Sequence, residues 1–152
     1  MKVRKARISD VPTMMKIIGT FAEKGDLLPR SLAELYEHIR DYSVCVDDEE
    51  VVGVCALHVM WEDLAEVRSL AVREGYGGKG AGSLLMEWCV EEAKKLGISK
   101  LFALTYRPEF FERFHFEKAD KSSLPQKIWT DCLKCVKFPD CDETAVICEL
   151  LS

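Results

Sequence analysis

No run of about 18 apolar residues occurs in the sequence, so nothing in it reads as a membrane-spanning helix. The N-terminus lacks the charged-then-apolar pattern of a signal peptide, so a cytoplasmic protein free of the membrane is expected. Positive charge is not in excess: 21 Lys and Arg stand against 26 Asp and Glu, a formal net charge of −5. That balance argues against nucleic acid as the main partner. No internal repeat, low-complexity tract or linker is present, which leaves one domain over residues 1–152. Histidine is scarce, and His38 and His58 read as surface or hydrogen-bonded side chains rather than catalysts.

What is present is an ordinary globular composition, 48% hydrophobic and 31% charged, in a chain long enough to bury a core. The 7 cysteines are an odd number in a chain with no signal peptide, so free thiols in a reducing compartment are expected. Cys45, Cys55 and Cys89 fall on core-facing periodicities. Cys132-x-x-Cys135-x5-Cys141 invites a zinc reading, but structural zinc normally takes four ligands. The fourth would have to be His115 or Cys148, and Cys148 sits inside a predicted strand. No metal is expected.

Hydrophobic periodicity divides the chain into short elements. Residues 3–7 alternate as a strand. Ser9 or Asp10 can cap a helix with Pro12 in its first turn, and Gly25 ends it. Ser31-x-x-Glu34 is a capping box for a second helix over 32–39. Residues 42–46 and 51–60 read as a hairpin around the polar turn 47–50. A strand over 65–72, a helix over 83–96 stopped by Gly97, and a strand over 100–106 follow. A short helix at 108–114 and a last strand at 144–151 complete the order β-α-α-β-β-β-α-β-α-β.

The most informative stretch is the strand–turn–helix of residues 64–96. Its turn, Arg73-Glu74-Gly75-Tyr76-Gly77-Gly78-Lys79-Gly80-Ala81-Gly82, carries four glycines within the six residues 77–82. Backbone N–H groups freed of side-chain obstruction at the positive end of a helix make an anion-binding nest, so a phosphate or pyrophosphate ligand is expected. The turn is not a Walker A loop, because Gly80 rather than a hydroxyl residue follows Lys79. Nor is it the dinucleotide fingerprint: Gly78-x-Gly80-x-x-Ser83 misses the last glycine, and the turn lies mid-chain after several strands.

Leu70-Ala71-Val72, the turn and the helix resemble the acetyl-CoA-binding motif of the GNAT superfamily of N-acetyltransferases, Arg/Gln-x-x-Gly-x-Gly/Ala. The motif falls on residues 77–82, with Gly77 in place of the usual Arg or Gln. The resemblance spans nearly the whole chain. It implies an α+β GNAT fold, with a mixed, mostly antiparallel central sheet flanked by helices. Leu27-Leu28-Pro29-Arg30-Ser31, Trp61-Glu62-Asp63-Leu64-Ala65-Glu66 and Trp129-Thr130-Asp131-Cys132 look like the acetyltransferase domain of bacterial N-acetylglutamate synthases. Because the chain begins directly at this domain, it is similar to the short, stand-alone form, without arginine control through a kinase-like domain.

The resemblance implies acetyl-CoA as co-substrate, a small-molecule amino acid as acceptor and a possible homodimer. CoA would run along Leu70, Ala71 and Val72 as an added strand. Its pyrophosphate would lie on Gly77, Gly78, Lys79, Gly80, Ala81, Gly82 and Ser83. Glu66 occupies the position of the family's catalytic glutamate, and a backbone N–H near Leu70 would polarise the thioester carbonyl. The tyrosine that many members use as general acid is replaced by Phe111, which leaves Tyr106 or solvent. Arg30, just before a helix N-cap, matches the arginine for the substrate carboxylate. Arg68 shares a strand face with Glu66 by period-two alternation. Ser69, Thr105 and Lys134 are further substrate-side positions, with Lys137 competing with Lys134.

The leading expectation is acetylation of the α-amino group of glutamate or glutamine, the first step of arginine biosynthesis. The alternatives are a GNAT enzyme for another amine, such as a protein lysine or a peptide N-terminus, and a non-catalytic acyl-CoA sensor.

Overall fold

A computed structural model describes residues 1–25, 27, 29–124 and 143–150. The elements in chain order are β1 (Lys2–Lys5), α1 (Val11–Glu23), α2 (Leu32–Glu37), β2 (Tyr42–Asp47), β3 (Glu50–Trp61) and β4 (Leu64–Val72). Then come α3 (Ala81–Leu96), β5 (Lys100–Thr105), α4 (Pro108–Glu112), β6 (Glu117–Ala119) and β7 (Thr144–Glu149). Among the described residues the strands form one sheet in the order β1-β2-β3-β4-β5-β7-β6. Its only parallel pair is β4 with β5. The fold is the expected α+β arrangement of a mixed, mostly antiparallel sheet with helices on both faces.

Three buried clusters are present among the described residues, and the two larger ones lie on opposite faces of the sheet. On one, Leu85, Met86, Cys89 and Ala93 of α3 pack on Cys55, Leu57, Ala65 and Val67, with Phe111 of α4. On the other, Val11, Met14, Ile17 and Ile18 of α1 and Leu35 of α2 cover Tyr42, Val44, Val54, Ala56 and Ala71. The i, i+3, i+4 spacing of the α1 residues is what lays that helix flat on the sheet.

Most local signals act as their chemistry dictates. Ser31 Oγ accepts the Glu34 N–H at 3.1 Å, and Glu34 Oε1 accepts the Ser31 N–H at 3.2 Å. Asp48 and Glu49 take positive φ of 52° and 69°, the paired left-handed conformation that matches strand twist in a two-residue hairpin. Gly97, at φ 83°, caps α3. The second helix is shorter than periodicity predicts. It ends at Glu37, and Ile39–Asp41 continue as a 3-10 turn. The strand β6 carries too few residues to show alternation and is absent from the sequence reading.

Asp10 corrects an expectation. Its side chain makes no cap bond to α1. Instead Arg4 grips it at 2.7 and 3.1 Å, and it accepts the Arg7 N–H at 2.7 Å. Burial alone would raise the Asp10 carboxyl. The Arg4 and Arg7 hydrogen bonds outweigh that and hold it below the usual carboxylate range. A carboxylate depressed on folding stabilises above its unfolded pKa, and the contribution disappears as pH falls through the folded value. Asp10→Asn is therefore expected to cost about 2 kcal/mol at neutral pH. The gap should close as pH drops below about 4, which urea melts at several pH values will check.

Candidate active site

The strand β4 is where the two faces, the sheet and the glycine turn meet. It pairs with β5 only over Leu64↔Lys100, Ala65↔Leu101 and Glu66↔Phe102. Beyond Glu66 the two strands part, while β5 stays paired with β7 throughout. A wedge therefore opens at Glu66, and one edge of β4 from Val67 to Val72 is left without a strand partner among the described residues. An unpaired edge can take an extended ligand as an added strand.

A bulge lies inside that wedge. Between β3 and β4 the register runs Ala56↔Arg68 and then Val54↔Ala71, so β4 carries an extra residue at Ser69–Leu70. Ser69 sits at φ 56°, a conformation rare outside glycine, and this is what accommodates the extra residue. The bulge inverts the alternation of the strand. Ala65 and Val67 face the α3 core, whereas Ala71, four residues beyond Val67, belongs to the α1 core. Glu66, Arg68 and Ser69 consequently share the α1–α2 face.

On that face Arg68 Nε donates to Glu66 Oε1 at 2.9 Å, with Nη2 closing the fork. Both side chains are largely shielded, 15% and 13% exposed. The Tyr42 hydroxyl lies 3.5 Å from Ser69 Oγ. Burial raises the Tyr42 hydroxyl, opposed by the Ser69 contact and by the nearby charges of Arg30 and Arg68. Arg30, from the segment before α2, thus acts electrostatically on the same Tyr42 hydroxyl as Arg68 does. Arg30 Nη1 reaches Glu34 at 3.3 Å, yet its Nε is buried without a hydrogen-bond partner among the described residues. A buried unpaired donor costs about 1–3 kcal/mol, which a ligand carboxylate would recover.

At the far end of β4 the turn runs through glycines with positive φ into the start of α3. Gly75, Gly78 and Gly80 adopt φ of 88°, 81° and 92°. Gly80 is the N-cap of α3, and Leu84 is the residue whose N–H returns to Gly80 O, at 3.0 Å. The N–H groups of Ala81, Gly82 and Ser83 are the helix's own unpaired donors. No acidic residue occupies the first turn. The Lys79 N–H is spent on Tyr76 O at 3.2 Å, and its ammonium lies 5.1 Å from the Tyr76 ring centre. The helix begins at Ala81, two residues earlier than the expected 83, with Gly80 as its N-cap. A Cβ on Gly82 would stand 3.3 Å from Phe110, so this glycine also lets α3 approach α4.

Of the other predicted catalytic and acceptor-side positions, those described lie at or just past the end of β5 and in α4. Thr105 ends β5, and its Oγ1 accepts the Arg107 N–H at 2.8 Å. Tyr106 follows directly and is half-buried. Phe111 sits in α4, buried against Phe110 and Phe116. Lys134, Lys137, Cys132, Cys135 and Cys141 lie outside the described residues. Cys45, Cys55, Cys89 and Cys148 are buried free thiols. Burial pushes Cys45 and Cys148 up, and Cys55 is driven well up by the adjoining Cys89, 3.4 Å away, and by burial. Thiols raised in this way are poor nucleophiles.

Comparison with known proteins agrees with this architecture. The profile of the Acetyltransferase (GNAT) family matches residues 13–116. The chain belongs to the GNAT acetyltransferase family. It is 39% identical over 145 residues to an uncharacterized N-acetyltransferase of Chlorobaculum tepidum, covering 95% of this chain and 94% of that one. It is 34% identical over 132 residues to the amino-acid acetyltransferase of Mycobacterium tuberculosis, covering 85% and 75% of the two chains. A Mycobacterium tuberculosis protein solved in complex with CoA and NLQ superposes with a TM-score of 0.86 at 29% identity, over 99% of this chain and 100% of that one. The Neisseria gonorrhoeae N-acetylglutamate synthase complexed with CoA and N-acetyl-glutamate gives a TM-score of 0.91 at 28% identity. That match takes in 99% of this GNAT chain and 35% of the synthase.

Two features of the site escape the sequence reading. One is the bulge at Ser69, for which a lone serine in a strand gives no signal. The other is the partner of His58: its Nδ1 lies 2.7 Å from Asp41 Oδ2, in the 3-10 turn after α2. The composition of that turn is polar but not diagnostic. No helix among the described residues is long and apolar enough to cross a membrane.

Proposed function

We propose that this GNAT chain transfers an acetyl group from acetyl-CoA to the α-amino group of L-glutamate or L-glutamine. The observation that carries the reading is the shielded Glu66–Arg68 pair at the mouth of the β4–β5 wedge, with the glycine turn and the start of α3 at the other end of the same strand. Acetyl-CoA supplies the acyl group already activated as a thioester. The backbone donors of Gly80, Ala81, Gly82 and Ser83 hold its pyrophosphate, and the open edge at Leu70, Ala71 and Val72 holds its arm. Gly77 and Gly78 let the phosphates approach, and the Lys79 ammonium adds positive charge.

Glu66 accepts a proton from the α-ammonium, directly or through one water, which frees the nitrogen lone pair. The Leu70 N–H, redirected by the bulge, polarises the thioester carbonyl. Phe111 has no proton to give, so the departing sulfur is protonated by Tyr106 or by solvent. Arg30 takes the α-carboxylate bidentately, Arg68 orients Glu66, and Ser69 and Thr105 line the acceptor pocket. Lys134 is assigned the side-chain carboxylate. The place of the reaction would be the first step of arginine biosynthesis.

Arg30→Ala tests the acceptor site. Losing a charge-assisted, bidentate contact of about 2–3 kcal/mol should raise the KM for glutamate about 30- to 160-fold. The KM for acetyl-CoA should stay unchanged, as initial rates against both substrates will show. An equal rise in both would place Arg30 outside the acceptor pocket.

A further inference from the structure

A second charged cluster adjoins Glu66 on the same face of the sheet. His58 lies directly opposite Glu66 in the β3–β4 register. Opposite residues of an antiparallel pair project to one face with Cβ atoms about 4.5–5.5 Å apart, so imidazole and carboxylate are neighbours. Asp41 accepts the His58 Nδ1–H at 2.7 Å. That bond fixes the tautomer and leaves Nε2 with its lone pair free. The ring of His38 meets His58 edge-on at 5.7 Å and is itself half exposed, 51%, which opens the cluster to solvent. His38, Asp41 and His58 bring three ligand-type atoms within 4.8 Å.

Acetyl transfer supplies the need. Glu66 carries the Arg68 ion pair, which protonation of its carboxyl would break at a cost. A proton taken by Glu66 therefore requires an onward acceptor before the next turnover. We propose that His58, oriented by Asp41, is that acceptor, a positioning residue that relays protons from Glu66 to solvent. The inference rests on the amino-acid acetyltransferase reading above.

The balance is as follows. As the acceptor nitrogen is acetylated it forms one N–C bond, the C–S bond breaks with its pair going to sulfur, and the ammonium gives up two protons. One reaches the sulfur to complete CoA. The other passes from Glu66 to His58 Nε2 and on to solvent past His38, so one proton is released for each acetyl group moved. Asp41 supplies the counter-charge while His58 is cationic. The groups facing His58 among the described residues are Asp41 and His38 from the end of α2 and its 3-10 turn, and Glu66 and Arg68 from β4.

The test is the pH profile of kcat for the full chain, from about pH 5.5 to 9, with acetyl-CoA and the amino acid turned over fastest. Wild type, His58→Gln, His58→Ala and Asp41→Asn are compared. His58→Gln should lower kcat on the order of 10²-fold, the low end of what proton transfer contributes, and should flatten the acid limb. CoA binding should stay within about twofold, since neither His58 nor Asp41 lies at the nest. Added imidazole should restore the His58→Ala rate in proportion to its concentration. Asp41→Asn should lower kcat through the same limb. An unchanged kcat and acid limb in His58→Gln would overturn the relay. So would a loss that imidazole does not rescue in a variant that binds CoA normally. If the His58 variants fail to fold, Asp41→Asn decides, and a wild-type profile there overturns the proposal. Absence of amino-acid turnover by wild type would overturn the acetyltransferase reading along with the relay. Wild-type turnover with an unaffected His58→Gln would overturn the relay alone.

Discussion

Glu66→Gln is expected to lower kcat about 10³-fold, or about 4 kcal/mol of transition-state stabilisation, and to leave CoA affinity intact. The size follows from what the substitution removes. The amide keeps the shape of the side chain and can still accept from Arg68 Nε, which now donates to Glu66 Oε1 at 2.9 Å. It cannot take a proton from an ammonium. The nest at Gly80–Ser83 lies at the other end of β4, across the Ser69 bulge, and is untouched. Rapid-mix rates at saturating substrates, with CoA binding by calorimetry alongside, separate the two effects. A variant with near-normal kcat would move the base elsewhere. A variant that loses CoA affinity in step with kcat would report damage to the strand instead.

The second large effect is expected at Gly80. This residue caps α3 at φ 92°, so any side chain is strained there, and a β-branched one most of all. In Gly80→Val the turn relaxes toward negative φ and the donors that follow it, Ala81, Gly82 and Ser83, lose their common aim. Two charge-assisted hydrogen bonds at about 1.5–3 kcal/mol each correspond to a loss of CoA affinity on the order of 10³-fold. The strain adds about 1–2 kcal/mol of destabilisation. Calorimetric titration with CoA and a thermal melt measure the two parts. Wild-type affinity in a folded Gly80→Val would show that the pyrophosphate does not depend on this turn.

The strand–turn–helix was legible because its signals are local. Glycines that need positive φ, a helix start and an alternating strand all lie within the 33 residues 64–96. The α1 and α2 helices were legible for the same reason, through periodicity and the Ser31–Glu34 box. What was not legible depends on partners distant in sequence. Asp10 looked like a helix cap and is instead claimed by Arg4, because a bidentate guanidinium outcompetes a single backbone N–H. The phase change at Ser69 comes from a mismatch in length between β3 and β4, which neither strand reveals alone. Period-two alternation placed Glu66 and Arg68 together, but only the bulge adds Ser69 to their face. His58 read as a surface or hydrogen-bonded histidine rather than a catalyst, and its Nδ1 is hydrogen-bonded to Asp41. Its position opposite Glu66 required the register of the sheet.

The central claim is transfer of an acetyl group to an α-amino acid, and a thiol-release assay tests it most directly. Acetyl-CoA would be offered with L-glutamate, L-glutamine, L-aspartate, L-arginine, L-lysine and a polyamine in parallel. Thiol release with glutamate or glutamine, weak or absent with arginine, lysine and the polyamine, is the result expected if Arg30 and Arg68 face the acceptor as proposed. Release with none of the amines, by a chain that binds acetyl-CoA, would contradict the claim.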